Sequence, residues 1–161
     1  MIVLITGTPG TGKSTVAKAL KARLGQGWTV INDREFCKKF KIGFFDKKAQ
    51  ELEVPVKKLE AKLKQKLKKE GSIILEGHLF CETKIPADII VLLRTSPKLL
   101  ETRLLGKGYG QLKVLDNVFC EMTDYCKANV LKNFGKNKVL ELNNDKGLKE
   151  ITAKILKEIK N

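Results

Sequence analysis

The sequence predicts an α/β protein in three layers, with a five-stranded parallel sheet covered by helices on both faces. Three observations lead to this fold class. Short apolar runs recur along the chain, amphipathic stretches of helical spacing separate them, and the first apolar run leads directly into a glycine-rich loop. At 161 residues, the chain is expected to form one domain spanning 1–161.

The predicted strands cover 1–5, 28–31, 72–75, 89–93 and 139–142. They are mostly apolar, as expected for parallel strands that are buried on both faces. The predicted helices cover 13–24, 33–40, a stretch opening at Pro55, 97–105, 112–134 and 147–159, whereas 41–54 shows no clean period. In the long helix over 112–134 we expect the apolar residues Leu115, Val118, Phe119, Met122, Cys126 and Val130 to face inward.

The glycine-rich loop matches the phosphate-binding pattern G-x-x-x-x-G-K-[ST] at every fixed position of 7–14, directly after a strand and before a helix. Its glycines, Gly7, Gly10 and Gly12, allow backbone N–H groups to surround phosphates. In such loops the lysine, here Lys13, reaches the β- and γ-phosphates, and the hydroxyl of Ser14 binds Mg²⁺. Thr15 can add a hydroxyl to the α-phosphate. The sequence therefore predicts a P-loop NTPase fold that binds a nucleoside triphosphate with Mg²⁺.

Two further candidates follow the third predicted strand. Glu76 ends this apolar run, where an acid can hold Mg²⁺ through water beside the loop. His78 follows two residues later, at the strand edge where ligands of parallel sheets bind. It is a candidate to position water or the phosphate acceptor, although a structural histidine is equally consistent with its position.

Basic residues near the ends of later elements are candidate phosphate ligands. Arg94 ends the fourth strand and Arg103 lies on the next helix, and arginine suits a planar, bidentate contact to phosphate. A structural ion pair is the alternative for both. Lys107, Gly108 and Tyr109 form a basic, glycine-rich loop that could close over a triphosphate.

The net charge of +14 favours polyanionic partners such as nucleotides, RNA or an RNA-rich particle. The alternative is that lysines simply cover solvated faces. The longest apolar run, 87–93, is too short to cross a bilayer, so we expect no membrane association.

The four cysteines are Cys37, Cys81, Cys120 and Cys126. They form no C-x-x-C pair, and His78 is the single histidine, so the spacing predicts no zinc site. We expect reduced, mostly buried thiols in a cytoplasmic protein, with one disulfide left open for a hyperthermophilic source.

Taken together, these segments resemble the isoenzyme 6 type of adenylate kinase in its archaeal form. The resemblance follows the chain in order, through the glycine loop, Glu76-Gly77-His78, Leu93-Arg94-Thr95, the stretch 103–109 and the stretch 116–121. It implies transfer of phosphate from ATP to AMP or a related monophosphate, giving two ADP, together with ATPase activity. It also implies a role in late small-ribosomal-subunit maturation and rRNA 3′-end processing, through a small-subunit ribosomal protein or rRNA.

The resemblance also assigns two substrate segments. A monophosphate-binding segment covers about 32–52, with Asn32, Arg34 and Lys38, together with Arg94 from outside the segment, as candidate ligands. A lid covers about 106–116, and its candidate residues are Arg103, Gly106, Lys107, Gly108 and Tyr109. The family usually carries arginine where this chain has Lys107, and tends to carry it where our alignment places Lys38. Both changes keep the charge but lose the bidentate contact.

Two alternatives remain open at this point. The protein could be a ribosome-assembly ATPase in which kinase activity is incidental. It could also be another small-molecule P-loop kinase, for which Asp33 and Glu35 would contact the acceptor.

Overall fold

Strands and helices alternate along the computed structural model, which describes residues 1–46, 51–68, 70–145 and 147–161. In chain order the elements are β1 (Ile2–Thr6), α1 (Lys13–Leu24), β2 (Trp28–Asn32), α2 (Asp33–Lys39), β3 (Phe44–Asp46), β4 (Glu51–Glu53), α3 (Val56–Leu67), β5 (Ser72–Glu76), β6 (Ile89–Arg94), α4 (Pro97–Gly106), α5 (Gln111–Met122), α6 (Tyr125–Phe134), β7 (Val139–Asn143) and α7 (Leu148–Lys160). Short 3₁₀ turns at Leu79–Glu82 and Lys136–Lys138 complete the set.

The five predicted strands form one parallel sheet in the order β2-β5-β1-β6-β7, so this prediction is confirmed. The first strand of the chain lies at its centre, between β5 and β6. All five strands end at the same edge because the sheet is parallel, and ligands of such sheets bind there. In the register, Glu76 at the end of β5 pairs with Ile5 on one side and Asn32 on the other.

Helices cover both faces of this sheet. On one face α1 and α7 pack against the strands through Val16, Leu20, Ile151 and Ile155. On the other face α3 and α6 contribute Leu59, Leu63, Cys126 and Val130. The three layers therefore match the predicted fold class, and burial of these side chains stabilises them.

Local sequence explains where the short helix after β2 begins. The side chain of Asn32 accepts a hydrogen bond from the Glu35 N–H at 3.0 Å, which caps α2. Asp33 and Glu35 in the first turn complement the positive end of the helix. This cap places Asn32, Asp33 and Arg34 at the ligand-binding edge of the sheet.

A second, two-stranded sheet lies in the region that showed no clean period. Strands β3 and β4 pair in antiparallel fashion, with Phe44 opposite Glu53. The predicted monophosphate-binding segment 32–52 thus includes α2 and most of this hairpin. Its residues 47–50 lie outside the described residues.

The single long helix predicted over 112–134 is wrong, because the chain forms two helices there. Asp124 adopts the left-handed conformation, with a φ of 57°, and separates α5 from α6. The predicted inward residues Leu115, Phe119 and Met122 are exposed, whereas Val114 and Glu121 of α5 are buried. The inward side of α5 contains a carboxylate, so the apolar pattern alone could not identify it.

Among the helices in the described ranges, none combines the length and apolar character that crossing a membrane requires.

Candidate functional site

A cleft of about 380 Å³ opens at the carboxyl edge of the sheet, beside the glycine-rich loop. Its volume falls within the range typical of small-molecule sites. Most of its lining is polar, and the residues come from four regions of the chain: Pro9, Gly10, Lys13, Ser14, Asn32, Asp33, Arg34, Glu76, Gly77, His78, Leu79, Glu82, Lys107, Tyr109, Lys113 and Asn117.

The glycine-rich loop runs from the end of β1 into the N-terminus of α1. Gly12 has a φ of 98°, and a Cβ there would lie 2.5 Å from the Asn144 side-chain nitrogen. That nitrogen donates a hydrogen bond of 2.8 Å to the carbonyl of Thr11. Asn144 therefore holds the loop from behind, a contact that no local sequence pattern predicted.

Lys13 lies buried under the loop. Its ammonium donates hydrogen bonds of 2.9 Å to the carbonyls of Gly7 and Thr8. Burial lowers its pKa, while nearby Cys126, Asp33 and Glu76 act in the opposite direction. The amine is therefore positioned within the loop that would surround a phosphate chain.

Ser14 and Glu76 meet across the cleft. The Ser14 hydroxyl lies 3.1 Å from each carboxylate oxygen of Glu76. The Asn32 amide donates a hydrogen bond of 2.6 Å to the same carboxylate. Parallel pairing of β1 and β2 with β5 aligns the strand ends and brings these groups together.

Asp33 is a second buried carboxylate on the cleft, beside Gly77. It accepts hydrogen bonds from the N–H groups of Leu79 at 2.8 Å and Arg34 at 2.7 Å. Burial raises its pKa, and these two hydrogen bonds act against that shift. A Cβ on Gly77 would lie only 2.0 Å from the Asp33 carboxyl carbon, so glycine is required for this packing. The sequence named Asp33 only as an acceptor ligand for an alternative kinase.

His78 is partly buried between the loop and α6. Its Nδ1 lies 3.3 Å from the Gly7 carbonyl oxygen and 3.2 Å from the Cys126 sulfur. Burial and the nearby Lys13 ammonium lower its pKa to about 4, so the imidazole is neutral at physiological pH. The ring also borders the cleft.

Another wall of the cleft is formed by the connection between α4 and α5 and by the first turn of α5. Lys107, Tyr109 and Lys113 line it, and Gly108 between the first two has a φ of 76°. Tyr109 packs on a small apolar cluster of Leu100, Leu104 and Val114. The predicted lid 106–116 thus corresponds to the end of α4, a short connection and the first half of α5.

Arg94 lies away from the cleft. Its Nε donates a 2.6 Å hydrogen bond to buried Glu121, and its Nη1 lies 2.6 Å from Asp124. Glu121 also accepts a hydrogen bond from the Thr8 hydroxyl at 2.5 Å. The structure does not bring Arg94 to the site as a phosphate ligand; an ion-pair network holds it against the back of the loop.

Two more predicted ligands, Arg103 and Lys38, are not part of the cleft lining in the described part of the chain. Arg103 donates hydrogen bonds to Thr95 Oγ1 at 3.1 Å and to the Asn144 carbonyl at 2.8 Å. Lys38 is exposed on α2, one turn beyond Arg34, which does line the cleft. Thr15 is exposed at the start of α1, beside Ser14.

The structure brings together thiols that are scattered in the sequence. A ring nitrogen of His78, Cys81 Sγ and Cys126 Sγ all lie within 4.8 Å of one another. Spacing alone predicted no such group, because Cys81 and Cys126 are far apart in the chain and meet only where the 3₁₀ turn packs on α6.

The central strand, the glycine loop with its lysine, the helix N-terminus and the acid on the adjacent strand define a P-loop nucleotide-binding protein of the kinase fold. A family model described as "AAA domain" (AAA_18) matches residues 3–124. A protein from Methanocaldococcus jannaschii, named "Putative adenylate kinase", is 34% identical over 164 aligned residues, covering 99% of this chain and 86% of the relative. A Pyrococcus furiosus protein of the same name is 41% identical over 124 residues, covering 77% and 65%. The chain belongs to the family of these archaeal proteins.

Solved structures support the fold. A deoxyadenosine kinase from M. mycoides with bound dATP superimposes with a TM-score of 0.63 at 16% identity, and each chain is covered over 100% of its length. A shikimate kinase from Acinetobacter baumannii in complex with shikimate gives a TM-score of 0.60 at 20% identity, covering 98% of this chain and 92% of that one. At these identities the likeness establishes the P-loop kinase fold alone.

Proposed function

We propose that this protein is a nucleoside monophosphate kinase, which transfers the γ-phosphate of ATP to AMP or a related monophosphate. The observation that carries the proposal is one cleft with basic side chains on two sides. Lys13, Lys107 and Lys113 lie on the glycine-loop and lid side, and Arg34 lies on the α2 side. A donor and an acceptor phosphate facing each other need positive charge at both ends. The name given to the archaeal relatives agrees with this activity.

The oxygen ligands in the cleft fit Mg²⁺. Ser14 offers a hydroxyl and Glu76 a carboxylate within 3.1 Å of each other, and Mg²⁺ prefers oxygen ligands while keeping several waters. Ser14 would contact the ion directly and Glu76 would hold it through water. When bound, the ion neutralises charge on the phosphate oxygens.

In the proposed reaction, this chain orients the phosphates and stabilises their charge. An oxygen of the acceptor phosphate forms a bond to the γ-phosphorus, and the bond from that phosphorus to the β,γ-bridging oxygen breaks, leaving ADP. Lys13 stabilises charge on the β- and γ-phosphates, and Lys107 would do so from the lid. No covalent enzyme intermediate is required, since positioning and electrostatic stabilisation account for such transfers.

The acceptor would bind between α2 and the lid. Asn32 and Arg34 at the start of α2 are the proposed contacts from the segment 32–52, and His78 and Asp33 border the same space. Lys38 and Arg94 would have to move or exchange partners to reach it. The segment 32–52 and the lid 106–116 are therefore proposed as the parts that close on substrates.

A transfer assay over the common nucleoside monophosphates tests this proposal. We expect ADP formation from ATP and AMP to exceed ATP hydrolysis without acceptor by at least about tenfold. Hydrolysis that none of the monophosphates increases would reject the kinase proposal. Omission of Mg²⁺ is the internal control, since both reactions should then fail.

A role in small-subunit maturation is the second candidate, in which the protein acts as an ATPase on a ribosomal protein or rRNA. The net charge of +14 supports attraction to RNA-rich particles. A second observation is the exposed apolar stripe of α5, formed by Leu112, Leu115, Phe119 and Met122 with 79%, 59%, 67% and 66% exposure. Such a stripe, which begins within the lid and continues along α5, suits a protein partner. The cytoplasmic location that this role implies stays a prediction.

A pull-down on small-subunit proteins and rRNA tests the second candidate. At ~0.15 M salt we expect binding that differs between ATP, ADP and no nucleotide, because a switch requires differential affinity. Phe119→Ser should weaken this binding, while Leu148→Ser at the start of α7 serves as a control at an exposed apolar residue outside both substrate segments. Binding that is identical in all three states and vanishes as salt rises would leave the charge attraction as its only cause.

The third candidate is another small-molecule kinase. Asp33 supports it, because its buried carboxylate borders the cleft and could accept a hydrogen bond from a hydroxyl group of the substrate. Glu35, the other residue suggested for that role, is exposed and is not part of the lining in the described part of the cleft. The same assay with hydroxylated small molecules as acceptors distinguishes this candidate from monophosphate transfer.

A further inference from the structure

A group of soft metal-binding side chains lies directly behind the glycine loop. Cys81 is on the 3₁₀ turn after β5, Cys126 is in the first turn of α6, and His78 precedes the 3₁₀ turn. Both cysteines are buried, with exposures of 0% and 3%. No sequence motif links these residues. The proposed phosphate transfer does not use either thiol.

The separations suit a tetrahedral cation. The three ligand atoms lie within 4.8 Å of one another, and the His78 Nδ1 to Cys126 Sγ distance is already 3.2 Å. In a tetrahedral zinc site the bond lengths place sulfur and nitrogen ligands roughly 3.3–3.8 Å apart. The side chains therefore need only small shifts to enclose an ion.

The charges of two thiolates and a divalent cation would also balance. Lys13 lies close enough to Cys126 and Cys81 to interact electrostatically with both. Two thiolates neutralise a divalent cation, so a loaded site would add no net charge beside the Lys13 ammonium. His78 borders the cleft, so one of the three ligands lies at a surface that solvent reaches.

We propose that His78 Nδ1, Cys81 Sγ and Cys126 Sγ form a binding site for a thiophilic divalent cation of the zinc class. Three protein ligands leave the fourth tetrahedral position to water or another small ligand. Coordination through Nδ1 replaces the His78 contact to the Gly7 carbonyl, so the cation site and the phosphate-binding loop share one residue. The proposal is independent of the kinase activity, because its ligands need no nucleotide.

Cobalt titration of the reduced, oxygen-free protein tests this site. Co²⁺ reports coordination directly, through a near-ultraviolet band from thiolate ligands and strong visible bands from tetrahedral geometry. We expect these bands to saturate at one Co²⁺ per chain and to disappear when Zn²⁺ displaces it. A wild-type protein that gives no thiolate band overturns the proposal, whatever the variants do.

Variants assign the ligands. Cys81→Ala and Cys126→Ala should each remove at least about half of the band, and His78→Ala should weaken Co²⁺ binding by at least about tenfold. Cys37→Ala is the matched control, since Cys37 is another buried thiol that lies outside the group. Far-ultraviolet circular dichroism confirms that each variant is folded. A band of wild-type intensity in Cys126→Ala, or one that Cys37→Ala abolishes, contradicts the assignment.

Discussion

The Ser14 hydroxyl lies 3.1 Å from both carboxylate oxygens of Glu76, although 62 residues separate the two in the chain. The contact arises because β1 and β5 are neighbours in the parallel sheet and end at the same edge. The Asn32 amide fixes the carboxylate from the other side. This arrangement places a hydroxyl and an acid at the mouth of the glycine loop, the position at which P-loop enzymes in general hold the Mg²⁺ of a nucleoside triphosphate.

Glu76→Gln tests the role of that carboxylate. The substitution keeps the shape but removes the charge, so we expect the apparent Mg²⁺ affinity in turnover to fall by about 10–100-fold. Nucleotide binding without magnesium should change far less. Turnover measured across a magnesium titration, alongside nucleotide binding in a chelator, separates the two effects.

Glu82→Gln is the matched control for this experiment. Glu82 also borders the cleft, but its carboxylate accepts a hydrogen bond from Tyr125 rather than from Ser14. We expect its magnesium dependence to equal that of the wild type. If Glu76→Gln behaves in the same way as this control, Glu76 has only a structural role.

Lys13→Ala should abolish transfer and hydrolysis without unfolding the protein. The Lys13 ammonium contacts the carbonyls of Gly7 and Thr8 in the loop, and its loss removes the charge that we propose stabilises the phosphates. We expect turnover to fall by at least about 10²-fold, as for loss of one preorganised donor. Lys18→Ala, on the exposed side of α1, is the control. A folded Lys13→Ala protein with full activity would exclude the proposed loop chemistry.

Lys107→Ala should raise the KM for ATP by about tenfold, which corresponds to loss of roughly 1.4 kcal/mol of phosphate binding. Lys107→Arg should match or exceed wild-type activity, because a guanidinium can bind phosphate through two hydrogen bonds. Steady-state kinetics at saturating acceptor measures both, with Lys98→Ala on the exposed face of α4 as control. Unchanged kinetics in Lys107→Ala would remove Lys107 from the ATP site.

Most of the fold could be predicted from the sequence because the strands are continuous apolar runs. All five strands of the main sheet are found where the apolar runs predict them. The boundary between α5 and α6 could not be predicted, because it depends on the left-handed backbone conformation of one residue, Asp124. Strand β3 has exposed phenylalanines, Phe44 and Phe45, so the part of the hairpin whose burial is described shows no buried face that would produce a periodic pattern.

The site could be predicted only in part, because some of its contacts join elements that are distant in the chain. A local motif identifies Lys13 and Ser14, and strand position identifies Glu76. The positions of Asn144 behind the loop and Asp33 beside Gly77 depend on contacts between distant elements. The ion pair of Arg94 with Glu121 is also long-range, and it explains why an arginine at a strand end does not reach the cleft.

Arg94→Ala should therefore act on stability. Glu121 is only 3% exposed, and Arg94 supplies its charged partner, while the Thr8 hydroxyl and the Thr95 N–H supply neutral hydrogen bonds. Removing the arginine leaves a buried carboxylate without its countercharge, which typically costs about 3–5 kcal/mol. Denaturant unfolding should show this loss, whereas Lys154→Ala, which breaks an exposed pair with Glu150 on α7, should cost at most about 1 kcal/mol. A stable Arg94→Ala protein with a raised KM for the monophosphate would instead make Arg94 a substrate ligand.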